Sequence, residues 1–383
     1  MDVSRKLSVL AVGAKFDRSG GEERGGLAAD EVVDASAGRR LFKVLQTNEC
    51  VHDCAFCPWR SRRETERATL GPDAMAGAFH AAHAAGRVDG LYLSSAVRES
   101  GRASMDSMLA TAEIVRTTYA FEGYLHLKIL PGAEREQIRE AMRLANGVSL
   151  NLDAPTETRF AALTTTRLYG EDLDERLGWI RDLSAEFPVD EGVSTQFVVG
   201  VGETDRELLA RTHEVRRDYD VRKAFFSSFR PMVGTPLEAL APSPAARERR
   251  LRQAQILLGA YGIGFEELGF GPSGNLSLSI DPKMAGALLN PGRFPVEVNV
   301  ASYEELIRVP GIGLLSAKRL VSRRRDRPIR DAREIALCGA VLKKAAPFLL
   351  LNGRPLGNLE QFIRQELRRF QTRPALQLSL FDL

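Results

Sequence analysis

Between residues 41 and 230 the chain alternates short apolar runs with longer helix-compatible stretches, and this alternation limits its folding options more than any other feature. The runs are Leu41–Leu45, Gly90–Ser95, Gly123–Ile129, Val148–Leu152, Thr195–Val199 and Ala224–Phe229. Each is too short for a buried helix and rich in strand-forming residues. Helical stretches are expected near 104–119, 134–146, 156–164, 173–186 and 205–219. Six strands separated by helices form parallel βαβ units. Right-handed crossovers wind these units into a barrel or partial barrel, with a doubly wound open sheet as the competing arrangement. In either case ligand chemistry belongs at the carboxyl ends of the strands.

The chain falls into five expected segments. An N-terminal extension spans 1–40, with a Gly/Glu/Ala-rich arm from Ser19 to Gly38. The β/α body spans 41–230. After Pro231 the rhythm stops, and a helical accessory region over 231–300 leads to a basic helical module over 301–350. A helix and tail complete the chain over 351–383, and the stretch 331–346 reads as helical. The fold class is thus α/β followed by a mainly helical domain. From Ala301 to Leu383 there are 16 Lys and Arg against 8 Asp and Glu, whereas the whole 383-residue chain is only +3. That asymmetry points to a basic module on a mildly acidic body, or to a solvated Arg-rich surface. No apolar run of membrane-spanning length appears, no apolar leader opens the chain, and four cysteines do not make a disulfide scaffold. A cytoplasmic protein without membrane contact is expected.

Directly after the first expected strand, Cys50, Cys54 and Cys57 are spaced C-x3-C-x2-C. Three thiols within eight residues suit an iron–sulfur cluster with one iron left open. Zinc completed by His52, or a redox dithiol with one cysteine to spare, are the other readings. Phe56 places an aromatic beside the third cysteine. Cys338 lies in an apolar run, Ile335–Leu342, and reads as a small buried hydrophobe.

This cysteine loop, with its aromatic and its position after the first strand, resembles that of the radical S-adenosylmethionine superfamily. The resemblance implies a partial (β/α)6 barrel and a [4Fe-4S] cluster on Cys50, Cys54 and Cys57. It also implies S-adenosylmethionine on the open iron, cleaved by one electron from a donor to give a 5′-deoxyadenosyl radical. Where the superfamily often carries Gly-Gly-Glu after its second strand, this chain has Ser94 and Ser95, whose hydroxyls would contact the cofactor's amino group. Gly200 and Gly202 resemble the fifth-strand glycine region near adenine. His126, Lys128, Asn151 and Gln196 are polar positions on apolar strands, as a lumen holding a charged nucleoside requires, though each also suits a structural hydrogen bond.

A second motif lies in Leu306–Leu320, where Val309-Pro310-Gly311-Ile312-Gly313 joins two expected helices. The turn and the helix start after it would turn free N–H groups toward a phosphate. Ser316, Lys318, Arg319 and Arg323 add contacts. The segment resembles a helix-hairpin-helix, which implies grip on a DNA backbone without base readout. Arg60, Arg62 and Arg63 beside the cysteine loop, and Arg230 after the last strand, are further candidate nucleic-acid contacts.

The barrel, the hairpin and the phrases Tyr124–Lys128 and Phe294–Asn299 together resemble a subgroup of radical S-adenosylmethionine proteins assigned to DNA repair or modification. That resemblance implies a partner similar to uracil-DNA glycosylase. Near the C-terminus, Gln377, Leu378, Leu380 and Phe381 resemble the peptide that docks on the bacterial DNA sliding clamp. The expected function is radical chemistry on a base or sugar of DNA. An RNA-modifying enzyme and a non-enzymatic, redox-sensing DNA-binding protein are the alternatives.

Overall fold

A computed structural model describes residues 1–14, 33–36 and 38–371. The described residues form two compact units, Met1–Glu203 with Arg211–Ser243, and Thr204–Ala210 with Pro244 to Gln371.

The first unit is built on a seven-stranded sheet. Its strands are β1 (Val33–Ser36), β2 (Arg39–Leu45), β3 (Gly90–Ser94), β4 (Tyr124–Lys128), β5 (Gly147–Ser149), β6 (Gly192–Val199) and β7 (Val221–Ser228). They lie side by side in chain order. β1 is antiparallel to β2, and every later pairing is parallel. A doubly wound sheet starts in its middle and reverses direction, whereas here each strand is the neighbour of the next. That order decides for the open, singly wound arc of a partial (β/α)6 barrel, with β1 as an added edge. The stretch expected as a loop or partly ordered arm includes a strand near its end, because Val33–Ser36 pairs in register with Arg39–Phe42.

The helices that accompany the sheet are α1 (Val3–Ala14), α2 (Pro72–Ala84), α3 (Gly101–Thr117), α4 (Arg135–Leu144), α5 (Glu157–Ala161), α6 (Arg176–Leu183) and α7 (Asp205–Tyr219), of which α2 covers the Phe42 face. A π-helical turn, Gly170–Glu175, leads into α6 and shortens the regular helix expected there. Strand alternation sends Phe42, Leu91, Leu93, Leu125 and Leu127 to the helix side, where all are buried. Phe79 of α2 meets Phe42 and Phe121 edge-on, at 5.9 and 4.9 Å between centroids. Burying each such side chain stabilises the unit by about 1.5–3 kcal/mol. The alternate residues Lys43, Tyr92, His126 and Ser149 point to the opposite, concave face.

The second unit holds α8 (Ala245–Gly259), α9 (Pro282–Leu289), β8 (Val296–Glu297), α10 (Tyr303–Arg308), α11 (Leu314–Asp326), α12 (Ala332–Leu337), α13 (Leu342–Ala345), β9 (Leu349–Leu351), β10 (Arg354–Pro355) and α14 (Leu359–Gln371). One core joins most of them, including Met284, Leu306, Ile312, Leu320, Ile335 and Phe348. A reciprocal cap starts α10: the Glu305 N–H donates to Ser302 Oγ at 3.1 Å, and the Ser302 N–H donates to Glu305 Oε2 at 2.7 Å. The stretch 331–346 is broken at Cys338–Val341, because Gly339 adopts φ +93° and cannot continue a helix. Cys338 closes α12 and is buried in the apolar core.

Candidate iron–sulfur site

The cysteines sit on a loop at the carboxyl end of β2 whose two ends are fastened together. The Asn48 N–H donates to Ala68 O and the Leu70 N–H to Gln46 O, at 3.2 and 3.1 Å. The Asn48 side chain bonds both ways across this neck, to Glu66 O at 2.9 Å and from the Ala68 N–H at 2.7 Å. Gln46 Nε2 donates to Leu70 O at 2.6 Å, and Thr111 of α3 donates to Gln46 Oε1 at 2.9 Å. All three neck residues Gln46, Thr47 and Asn48 are buried. Inside the loop the Arg67 guanidinium donates to four carbonyls, those of Asn48, Trp59, Arg60 and Arg63.

Two other segments grip the loop. After β3, the Ala96 N–H donates to Thr47 O and the Val51 N–H to Val97 O, at 2.9 and 2.8 Å. After α5, Leu163–Arg167 forms a clasp that begins where Leu163 O accepts the Ala55 N–H at 2.7 Å. The Asp53 carboxylate accepts from Thr164 Oγ1 at 2.7 Å, Thr165 N–H at 3.0 Å, Thr165 Oγ1 at 2.5 Å and Thr166 Oγ1 at 3.0 Å. Burial opposes charge on Asp53, but the hydrogen bonds from Thr165, Thr164 and Thr166 prevail and hold its carboxyl well below the usual range. Arg167 Nη1 lies 2.6 Å from Asp153 Oδ2 and donates to Cys54 Sγ at 3.7 Å. Asp53, the three threonines, Arg167 and Asp153 are absent from the sequence-based site. Their one signal there is a Thr-Thr-Thr-Arg run, which carries no chemistry until the fold places it.

Cys54 is buried, and Cys50 and Cys57 are half-buried. Burial pushes the Cys54 thiol up, with Arg167 pulling it back and Asp153 and Cys50 adding to the rise. Burial likewise raises Cys57, reinforced by Cys54 and Cys50. Two of the three sulfurs already accept N–H groups, from Arg167 on Cys54 at 3.7 Å and from Trp59 on Cys57 at 3.4 Å. A set of thiolates with N–H donors on sulfur fits an iron–sulfur cluster, whose net negative charge such donors offset. His52 has Nδ1 bonded to Thr166 Oγ1 at 3.2 Å, and burial lowers its pKa. Among the described residues, no three His, Cys, Asp or Glu side chains converge as around a single metal ion.

The remaining expected cofactor residues divide. Phe56 is half-buried within the loop. Ser94 ends β3, where its carbonyl accepts the Gln46 N–H at 2.8 Å. Its hydroxyl is buried without a hydrogen-bond partner, while the Ser95 hydroxyl donates to Ala96 O at 2.7 Å. Lys128 closes β4 opposite Ser149. Asn151 is half-buried just past β5, and Gln196 is buried on β6. Gly200 and Gly202 adopt φ of +105° and +113°. A Cβ at Gly200 would stand 2.6 Å from that of Ser243. Both N–H groups of Gly200 and Val201 donate to the Glu203 carboxylate, at 2.7 and 2.9 Å. His126 is already engaged, with Nε2 on Ser149 Oγ at 2.9 Å and Nδ1 on the Tyr124 hydroxyl at 3.2 Å. Its ring stacks on Tyr92 at 4.4 Å. His126 therefore holds the concave face together rather than offering a free nitrogen.

Of the loop arginines, Arg60 donates to Asp53 O, and Arg63 donates to Val233 O and Pro58 O, both at 2.9 Å. Arg62 and Arg230 are exposed.

In the second unit, α10 and α11 meet at a turn where Gly311 adopts φ +86°. A Cβ there would lie 2.6 Å from Val341 O. Gly313 caps α11, whose first amides have no intrahelical acceptor. Lys318 and Arg319 are exposed, and Arg323 is half-buried and paired with Glu334 at 3.3 Å. Ser316 is buried instead, its hydroxyl 3.1 Å from where a Cβ on Gly339 would stand, because α11 turns that face toward the core. Gln377, Leu378, Leu380 and Phe381 lie outside the described residues.

No protein-family model matches this sequence, and no curated protein matches it. Among solved structures, similarity is found to the [FeFe]-hydrogenase maturase HydG from Carboxydothermus hydrogenoformans, at 11% identity and a TM-score of 0.46, covering 57% of this chain and 51% of that one. This chain thus spans about half the length of that relative. Methylornithine synthase (PylB) is similar at 14% identity and a TM-score of 0.43, covering 87% of this chain and 82% of that one. A radical SAM methyltransferase from Sphaerobacter thermophilus is similar at 14% identity and a TM-score of 0.45, covering 59% of this chain and 66% of that one.

Proposed function

We propose that this chain is a radical S-adenosylmethionine enzyme that acts on a base or sugar of DNA. The observation that carries the reading is the Cys50–Cys54–Cys57 set on a fastened loop at the carboxyl end of the first of six parallel strands. That end is where α/β folds of this type place their chemistry. Cys50, Cys54 and Cys57 would hold three irons of a [4Fe-4S] cluster. Bound there with S-adenosylmethionine, the cluster supplies one-electron cleavage that delivers a 5′-deoxyadenosyl radical for hydrogen abstraction. The unpartnered Ser94 hydroxyl supplies a hydrogen bond to the polar groups of S-adenosylmethionine. Lys128, Asn151 and Gln196 give polar contacts beyond it. Ser243 fills the space beside Gly200, which leaves Gly202 as the glycine that would let a flat base approach the backbone.

The nucleic-acid part of the reading rests on the second unit. Its glycine turn, the open amides of α11 and the exposed Lys318 and Arg319 suit a phosphate backbone. The same reading includes an electron donor, a partner similar to uracil-DNA glycosylase, and sliding-clamp docking through Gln377–Phe381.

The test is anaerobic reconstitution with iron and sulfide, dithionite reduction, and measurement of 5′-deoxyadenosine with duplex DNA, damaged DNA or structured RNA. Four irons per chain and nucleoside formation stimulated by DNA support the proposal. Zinc in the purified protein, or a cluster that never cleaves S-adenosylmethionine, overturns the enzyme reading, and stimulation by RNA alone overturns the DNA assignment.

A further inference from the structure

The clasp contains an ion pair that nothing in the proposed chemistry uses. Arg167 and Asp153 are 2.6 Å apart, and both side chains are 7% exposed. The guanidinium also lies 4.9 Å from the centre of the Phe160 ring, and its Nε is buried without a partner. Asp153 is held in the left-handed region at φ +60°. Its backbone is fixed there by bonds to β6, from its N–H to Gln196 O at 3.0 Å and from the Val198 N–H to its carbonyl at 2.9 Å. A buried pair of this kind adds little net stability over an apolar pair of the same volume. The clasp is also already secured by Asp53 with Thr164, Thr165 and Thr166, and by the Ala55–Leu163 bond. What the pair adds is a guanidinium N–H on Cys54 Sγ, 3.7 Å away.

We propose that Arg167, steadied by Asp153, sets the reduction potential of an iron–sulfur cluster held on this loop through its hydrogen bond to the Cys54 sulfur. The inference rests on the cluster reading above. A positive N–H donor on a ligand sulfur favours the form of the cluster carrying one more electron, so Arg167 raises the potential. The Asp153 carboxylate partly cancels that charge and lowers it. Arg167 is a positioning residue for charge, and its effect has a sign that a purely structural brace would not have.

The experiment is an anaerobic redox titration of the reconstituted full-length protein, followed by electron paramagnetic resonance, with one electron per cluster taken from dithionite-poised mediators. At the wild-type midpoint, Arg167→Met is expected to lower the ratio of reduced to oxidised cluster about tenfold, which is about 59 mV for one electron. Asp153→Asn keeps an oxygen to accept from Arg167 but removes the negative charge, so its ratio is expected to rise severalfold. Shifts of opposite sign support the inference. Shifts of the same sign, or neither exceeding twofold, overturn it and leave the cluster reading intact. Should Arg167→Met hold no iron, the Asp153→Asn shift decides, upward in support and downward or absent against. Loss of iron from both variants, with the protein still folded, assigns the pair to holding the loop and overturns the inference. A wild-type protein that takes up no iron and sulfide overturns the cluster reading itself.

Discussion

Ser94 allows a test in which stability and binding move in opposite directions. Its side chain is 1% exposed, and its hydroxyl has no hydrogen-bond partner. A buried hydroxyl left unsatisfied costs about 1–3 kcal/mol. Ser94→Ala removes that group and leaves a gap smaller than a water molecule, so the cluster-free protein should gain about 1 kcal/mol. If the hydroxyl's partner is S-adenosylmethionine, the same substitution removes one hydrogen bond from the complex. A loss of about 1–2 kcal/mol weakens binding roughly 5- to 30-fold. The gain is read from the guanidinium unfolding midpoint of the apo-protein, and the loss from equilibrium dialysis of S-adenosylmethionine against the reconstituted protein. A variant that unfolds more readily and binds the cofactor as well as wild type would refute the reasoning on both counts.

Three further outcomes are expected. Gly311→Ala forces a side chain into φ +86° and against Val341 O, 2.6 Å away. It should cost at least about 1–2 kcal/mol and weaken duplex binding with a shallower salt slope, measured by melting and by fluorescence anisotropy at several salt concentrations. Glu267 takes a two-pronged hydrogen bond from Arg308, at 2.8 and 2.9 Å, and a third from Arg293. Chiefly through Arg308, and against the effect of burial, its carboxyl drops to about 2. Its contribution, up to about 3 kcal/mol, is present above the unfolded pKa near 4.5 and lost as pH falls toward 2, so Glu267→Gln should flatten acid unfolding across that window. Burial lowers the Lys283 ammonium to about 7, with Asp281 pulling the other way. The unfolded chain therefore binds more protons between pH 7 and 10.5, and wild-type stability rises across that range; Lys283→Met should be the more stable protein at pH 6 and lose that advantage by pH 10, in paired urea titrations.

The six parallel strands were legible because each is a short apolar run with its neighbours on both faces buried or half-buried. What periodicity left open was barrel against doubly wound sheet, since strand order is a property of pairing and not of any one segment. The three cysteines stand out by their spacing, and the fold adds that their loop leaves the carboxyl end of β2. The clasp on that loop was not legible, because Asp53 and Thr164–Thr166 are ordinary surface-type residues until a hundred residues of intervening chain fold back. His126 shows why two readings stayed open: a polar residue on an apolar strand suits a ligand or a structural hydrogen bond alike, and only the fold shows Tyr124 and Ser149 at its two nitrogens. Cys338 read correctly as packing, but Gly339 beside it was not recognised as a helix stop, although only glycine tolerates φ +93° cheaply. Val33–Ser36 was hidden because an edge strand at the end of a Gly-rich stretch has no partner in the sequence pattern.

The neck at Gln46–Asn48 and Ala68–Leu70 has a thermodynamic consequence. In small zinc domains, metal affinity is spent on ordering the chain. Here the backbone is ordered by its own hydrogen bonds, so iron and sulfide would enter a pocket prepared in advance. Nearly all of the inorganic binding energy would then remain available to hold the metal, and stripping the metal would leave a chain that is still folded, with its melting temperature lowered by the binding energy that only the native state enjoys.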